Sequence, residues 1–191
     1  MKRVLSAAAV LLAFAAGVAG CERKGGDTVS ERSGATAAAT TTSDFPCVHF
    51  DQLRRHLPDA VQGYSHLREE GSSGRYGQVS ISEAERVFEG EEGQELSIRI
   101  VDTTLSGDLA RAIRAAAKDA STRPSDDPVA PILEDSAVGF VRFDANQQKA
   151  EANVLVADRF VVAVTSLGVD GTGDVRRVAG SIDYDALALL R

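Results

Sequence analysis

No apolar period of any kind runs from Glu22 to Asp44. The stretch is mostly Gly, Ser, Thr, Ala and charge, and includes Ala37-Ala38-Ala39-Thr40-Thr41-Thr42. A segment of this kind cannot bury enough apolar surface to offset the entropy of ordering it. It is therefore expected to be a disordered tether over residues 21–45, with a flexible-coil span of about 25–30 Å by square-root scaling. Any hydrophobic core is confined to residues 46–191, and those 146 residues are enough for one domain with a real core. Upstream, Met1-Lys2-Arg3 precedes a mostly apolar run from Val4 to Val18 and then Ala19-Gly20. Positive start, short apolar middle and small residues before a cut site are the parts of a secretory signal. A run of about fifteen residues falls short of the roughly twenty that span a bilayer. Residues 1–20 are thus expected to be a cleaved signal rather than a membrane helix.

The stretch Val18-Ala19-Gly20-Cys21 resembles the lipobox of bacterial lipoproteins. That resemblance implies cleavage before Cys21, a diacylglycerol thioether on its sulfur and acylation of its freed amine. Two or three acyl chains make a lasting anchor where one binds only reversibly, since each buried methylene contributes about 0.8 kcal/mol. The family sends lipoproteins without Asp after the cysteine to the outer membrane, and residue 22 here is Glu22. The expected address is the cell envelope, lipid-anchored at the outer membrane and facing the periplasm or the cell surface. The alternative is an ordinary signal cut nearby, which leaves Cys21 a free thiol able to pair with Cys47 in an oxidising envelope.

Charge and aromatic content exclude whole classes of partner. Removing residues 1–20 takes away Lys2 and Arg3 and leaves 19 basic against 28 acidic residues, a net −9. An acidic domain has no electrostatic attraction to nucleic acid, and none to anionic lipid. With no tryptophan and 5% aromatic residues, a stacking platform for sugars or bases is not expected.

Within residues 46–191 the pattern reads as helix, strands, helix, strands, helix. Phe50, Leu53 and Leu57 stand at helical spacing before Pro58. Gly63–Glu70 reads as a strand, closed by a loop through Gly71-Ser72-Ser73-Gly74. Tyr76–Phe88 reads as a strand whose parity breaks, since Val79 and Ile81 point one way and Ala84 and Phe88 the other; a bulge near Ser82 is expected to reconcile them. Leu96, Ile98 and Ile100 alternate with polar residues as in a half-buried strand. Leu105–Asp119 is an alanine-rich helix with Leu109, Ile113 and Ala116 on one face and Thr104 or Ser106 as cap. Ser121–Pro131 reads as a loop. Val138–Phe143, Ala150–Val156 and Phe160–Thr165, with a tight turn at Ala157-Asp158-Arg159, read as an antiparallel meander. Helical segments over Asp174–Ser181 and Asp183–Leu190 close the chain, the second capped by Asp183. The expected fold is α+β, an antiparallel sheet of five or six strands with helices mainly on one face.

Leu57-Pro58-Asp59 with Gly63-Tyr64, the turn at Asp158-Arg159-Phe160-Val161 and the closing Ile182-Asp183 resemble small lipoprotein domains of bacterial envelopes. The layout is also distantly similar to PsbP-like α-β-α sandwiches. Neither resemblance carries a functional residue over.

The chemistry-bearing residues do not form a known motif. There is no Gly-x-Ser-x-Gly and no Ser-x-x-Lys. Cys47 has His49 nearby as a base, but reads as a buried or idle thiol. His49, Asp51, His56 and His66 lie within eighteen residues, yet the seven-residue step from His49 to His56 is about 10 Å along a helix, too far for one metal ion. Parity aims Asp102 inward at a strand end, where it is expected to cap the following turn. Glu134-Asp135 is a further carboxylate pair. Glu83, Glu85 and Glu89 read as a solvated strip, and Asp126 and Asp127 fit no calcium loop. Gly171-Thr172-Gly173-Asp174 lacks the Lys and spacing of a phosphate loop and reads as a turn into an Asp N-cap. Catalytic, cofactor and metal residues are therefore not assigned, and Cys21 is the one site residue, for lipidation. The expected function is a membrane-anchored, non-catalytic envelope lipoprotein that binds a protein partner or a small ligand. The rival readings are an envelope hydrolase with a dispersed site drawn from Asp102, His56 and Glu134, and a purely structural brace.

Overall fold

The structure is a computed structural model that describes residues 46–104, 106–124 and 127–190. The expected signal, Cys21, the expected tether to residue 45, and Asp126 lie outside those residues. The described chain is α+β. Its elements in order are α1 (Phe50–Arg54), β1 (Tyr64–Tyr76), β2 (Val79–Gly90), β3 (Glu95–Thr103), α2 (Ser106–Ser121), β4 (Val129–Leu133), β5 (Ala137–Asp144), β6 (Lys149–Val156), β7 (Phe160–Leu167), α3 (Gly173–Ala179) and α4 (Tyr184–Ala188). All strand pairs are antiparallel, in the spatial order β1-β2-β3-β7-β6-β5-β4. The chain lays down one meander from β1 to β3. It then crosses over through α2 to the far edge and meanders back until β7 pairs with β3.

The described sheet therefore has seven strands rather than five or six. The additional strand is β4, which the Pro- and Asp-rich composition around Ser121–Pro131 disguises as loop. Pro131 is tolerated because β4 pairs only with β5, and an edge strand needs no donor on its outer side. β1 also runs on through Gly71-Ser72-Ser73-Gly74, where a loop is expected from composition. A Cβ at Gly71 would stand 2.3 Å from Cδ2 of Phe50. The ring of α1 occupies the place of the missing side chain, and so a glycine-rich segment is held as strand. The expected bulge near Ser82 does not occur; β2 keeps register with β3 throughout, and the shift lies in β1 between His66 and Arg68. The parity of β2 is unbroken because Ser80, Ser82, Ala84, Arg86 and Phe88 all face inward, polar or not.

Helices pack on both faces of the sheet, three of the four described helices on one of them. Three short helices, α1, α3 and α4, pack Leu53, Val175, Val178 and Leu187 on one face with Phe88, Leu96, Ile98, Ile100, Phe160, Val162 and Val164. The longest helix, α2, packs Ala110 and Ile113 against Leu155 and Val161 on the opposite face. Its buried stripe is Ala110, Ile113, Ala117 and Ala120, so Leu109 is 41% exposed rather than inward. Thr104 does not cap it, since its Oγ1 accepts from the Ser80 N–H at 3.0 Å. β6 and β7 lie under both layers where they meet, and for that reason Val154-Leu155-Val156 and Phe160-Val161-Val162 are continuous apolar runs. The meander β5–β6–β7 and the turn at Ala157-Asp158-Arg159 stand as read, with Ala157 and Asp158 both at positive φ. Asp183 caps α4, accepting from the Ala186 N–H at 2.8 Å. Among the described residues no helix is long and apolar enough to cross a membrane.

Candidate functional site

Polar side chains gather at three places. The first is the end of the sheet where the domain begins. Asp102 is inward, as its parity predicts, and 2% exposed. Its partners among the described residues lie away from the following turn. Its carboxylate accepts from the Val48 N–H at 2.8 Å and from Arg159 twice, Nε at 3.1 Å and Nη2 at 2.7 Å. Arg159 Nη2 also reaches the Pro46 carbonyl at 3.4 Å. Cys47 is buried between them, its thiol donating to the Ser80 carbonyl at 3.4 Å. Burial, and then the Asp102 charge, push the thiol up from its ordinary value against the pull of Arg159. A thiol pushed that way has less nucleophilic thiolate at neutral pH. His49 is not its base: it is exposed, caps α1 and accepts from the Asp51 N–H at 3.4 Å.

The second place centres on Arg86, which reading the sequence alone misses. Its Nη1 donates to the carbonyls of Leu57 (3.1 Å) and Pro58 (2.7 Å) and to Asp59 Oδ1 (2.8 Å). Its Nε donates to Glu69 Oε2 at 2.6 Å, and Nη2 reaches the same oxygen. The planar fork thus binds the turn after α1 to the sheet. The signal that precedes it is Leu57-Pro58-Asp59, where Pro58 stops the chain and exposes carbonyls that need donors.

The third is a cleft of about 650 Å³ at the opposite end of the sheet from Cys47. Its walls include Pro128, Val129 and Phe143, and its charged floor is Arg142, Lys149 and Glu151. Arg142 and Glu151 face each other across β5 and β6. Glu151 is buried, with one oxygen bonded by Arg142 and the other by Lys149 Nζ at 2.7 Å. Burial alone would raise this carboxyl, but the hydrogen bonds from Lys149 and Arg142 outweigh it and hold it below the ordinary range. At the rim, Asp144 Oδ1 accepts from the N–H groups of Asn146 and Gln147. Hairpin register was the signal for this trio: Arg142 and Glu151 are the polar members of two alternating strands joined by a short loop.

The other expected candidates are dispersed. His66 packs edge-on against Phe88 at 5.9 Å between ring centroids. His56 is lowered by burial, opposed by Asp183. Glu134 sits in the β4–β5 turn, accepting from the Ala137 N–H, beside Asp135. Glu83 and Glu85 form a ladder with Arg99, and Asp127 accepts from the Val129 N–H and pairs with Arg123. Asp174 is not an N-cap. α3 starts at Gly173, and Asp174 accepts from the Tyr64 hydroxyl at 2.8 Å and from Arg177 at 2.6 Å. Among the described residues no group of three His, Cys, Asp or Glu could hold a metal ion.

The chain matches no family model, no curated protein and no solved structure.

Proposed function

We propose that the chain is a lipoprotein anchored through Cys21 to the envelope, at the outer membrane, and that its domain is a non-catalytic binding module working through the cleft of Arg142, Lys149 and Glu151. The observation that carries the reading of the domain is how the hydrogen-bonding capacity of that trio is distributed. Both oxygens of Glu151 are occupied by the two cations. A general acid or base needs a proton affinity near the working pH, and a carboxylate held ionised by two cations lacks it. The cations keep donors to offer. Lys149 has three N–H groups and Arg142 five, and Glu151 occupies only part of them. A cleft whose floor keeps spare donors on two cations, and whose buried carboxylate is already paired with both, favours an anion. Val129, level with Arg142 on the same face of the sheet, and Pro128 beside it favour an apolar group next to that anion. The matching ligand is a carboxylate on an apolar body, carried by a small molecule or by a partner chain. Because the domain is acidic overall, recognition depends on close contact with the two cations, within a screening length of about 8 Å.

Two measurements test this. Cys21→Ala is expected to move the protein from the membrane fraction to the soluble envelope fraction, and continued membrane retention would overturn the anchor. For the cleft, the full-length lipidated protein in detergent is titrated with N-acetylphenylalanine and with its amide. The acid is expected to bind saturably and the amide about tenfold or more weakly, the weight of one charge-assisted hydrogen bond. Arg142→Ala, on an exposed side chain, should bring the acid down to the amide. Equal binding of acid and amide, or no effect of Arg142→Ala, would sink the assignment.

A further inference from the structure

The first residues of the domain cross one end of the sheet and make a bond to each strand they pass. The Phe50 N–H donates to Ser73 Oγ in β1 at 2.9 Å. The Cys47 thiol donates to the Ser80 carbonyl in β2. The Val48 N–H donates to Asp102 at the end of β3. The Pro46 carbonyl accepts from Arg159, one residue before β7 begins. Asp102 and Arg159 are themselves joined by two hydrogen bonds; Asp102 lies in β3 and Arg159 immediately before β7, the third and fourth strands across the described sheet. We propose that residues 46–50 are a strap, fastened by the Asp102–Arg159 pair to the two central strands, through which the pull of the lipid anchor enters the fold. The proposal rests on the reading that Cys21 carries that anchor.

The physical case is one of geometry. An edge strand is held along one side only, so a chain pulled from an edge can peel residue by residue. A pull on Pro46 acts first on an ion pair, its carboxylate buried and its guanidinium partly exposed, that joins β3 to the turn leading into β7, and both strands are held on both sides. Removing one member of such a pair strands the other, which makes it a firm fastening. Strands of about eight residues at roughly 3.3 Å each separate the two ends of the sheet by about 25 Å. The cleft of Arg142 and Glu151 lies at the far end, opposite the strap. Its occupant and the anchor thus engage opposite ends of the fold and do not compete for surface.

Cys47 lies inside the strap and reports on it. The full-length protein, extracted from membranes with its lipid, is treated with a thiol reagent in increasing urea, and the modified thiols are counted by mass. If the anchor is at Cys21, one thiol reacts, and slowly. Asp102→Asn turns an amide N–H₂ towards the donors of Val48 and Arg159, and Arg159→Gln removes the fork. Each is expected to raise the Cys47 rate about tenfold or more below the unfolding transition, with a shallow urea dependence, because release of a strap exposes little surface. Ser73→Ala, which leaves the Asp102–Arg159 pair intact and removes the bond to Phe50 together with the contact to the Ser82 hydroxyl, serves where the other variants fold poorly, and is expected to give a smaller rise of the same shallow kind. A Cys47 rate that follows global unfolding, with its steep urea dependence, in every variant would overturn the strap. A second, fast-reacting thiol would overturn the anchor at Cys21 and with it the pull, while the Cys47 rates still score the strap.

Discussion

Gly139→Ala is expected to destabilise the domain by about 3 kcal/mol or more, at the upper end of what overpacking costs. A Cβ at Gly139 would stand 2.2 Å from the Asn153 carbonyl oxygen and 2.8 Å from the Val154 Cα. Both are backbone atoms of β6, so no side-chain rotation relieves the clash. β5 must move away from β6 where Gly139 pairs with Val154, and β4 moves with it as the outermost strand. In a domain of this size about 3 kcal/mol lowers the thermal midpoint by roughly 10 °C. Calorimetry or far-ultraviolet circular dichroism reads it directly. A midpoint within about 2 °C of the parent would mean that β5 and β6 do not approach so closely, and the floor of the cleft would have to be redrawn.

Arg86→Ala comes second, with an expected loss of about 3–4 kcal/mol, the cost of removing one partner from a buried charged network. The side chain is only 10% exposed, and its removal leaves Glu69 with Arg54 alone and takes the donor from the carbonyls of Leu57 and Pro58. Asp59 contributes little to that figure, because it is almost wholly exposed and water screens the pair. Arg86→Lys should recover only part of the loss, since a point charge cannot reach the turn and Glu69 with the same fork. Urea unfolding of the variants, combined with Glu69→Gln in a double-mutant cycle, separates the ion pair from the carbonyl contacts. An Arg86→Ala loss under about 0.5 kcal/mol would remove Arg86 from the list of residues that join α1 to the sheet.

The two failures of expectation in the sheet have one cause. Pro131 and Gly71-Ser72-Ser73-Gly74 are poor strand formers taken alone, and composition assigns both to loops. Both are strands because of distant partners, β5 for Pro131 and the Phe50 ring for Gly71. The inferred bulge at Ser82 fails for a related reason. Parity was counted on apolar residues, but buried serines also face inward, where Ser82 Oγ and Ser73 Oγ satisfy each other at 2.7 Å. The candidate site divides the same way. Asp102 was legible as inward from alternation with Ile98 and Ile100, but its partners Val48 and Arg159 lie 54 and 57 residues away, beyond any local pattern.

What the sequence by itself determined is what depends on neighbours within a few residues. It placed α2 by its 3.6-residue period, and marked the meander β5–β6–β7 by period two and short turns. It also set the cap of α4 at Asp183 and the direction of Asp102. The tertiary structure alone decided that β7 lies beside β3, that α2 lies on the face opposite α1, α3 and α4, and which ion pairs close across the ends of the sheet. The reason is that backbone propensity and apolar period act along the chain. The choice of which strand completes a sheet is made by burial summed over both faces, which no segment carries in its own residues.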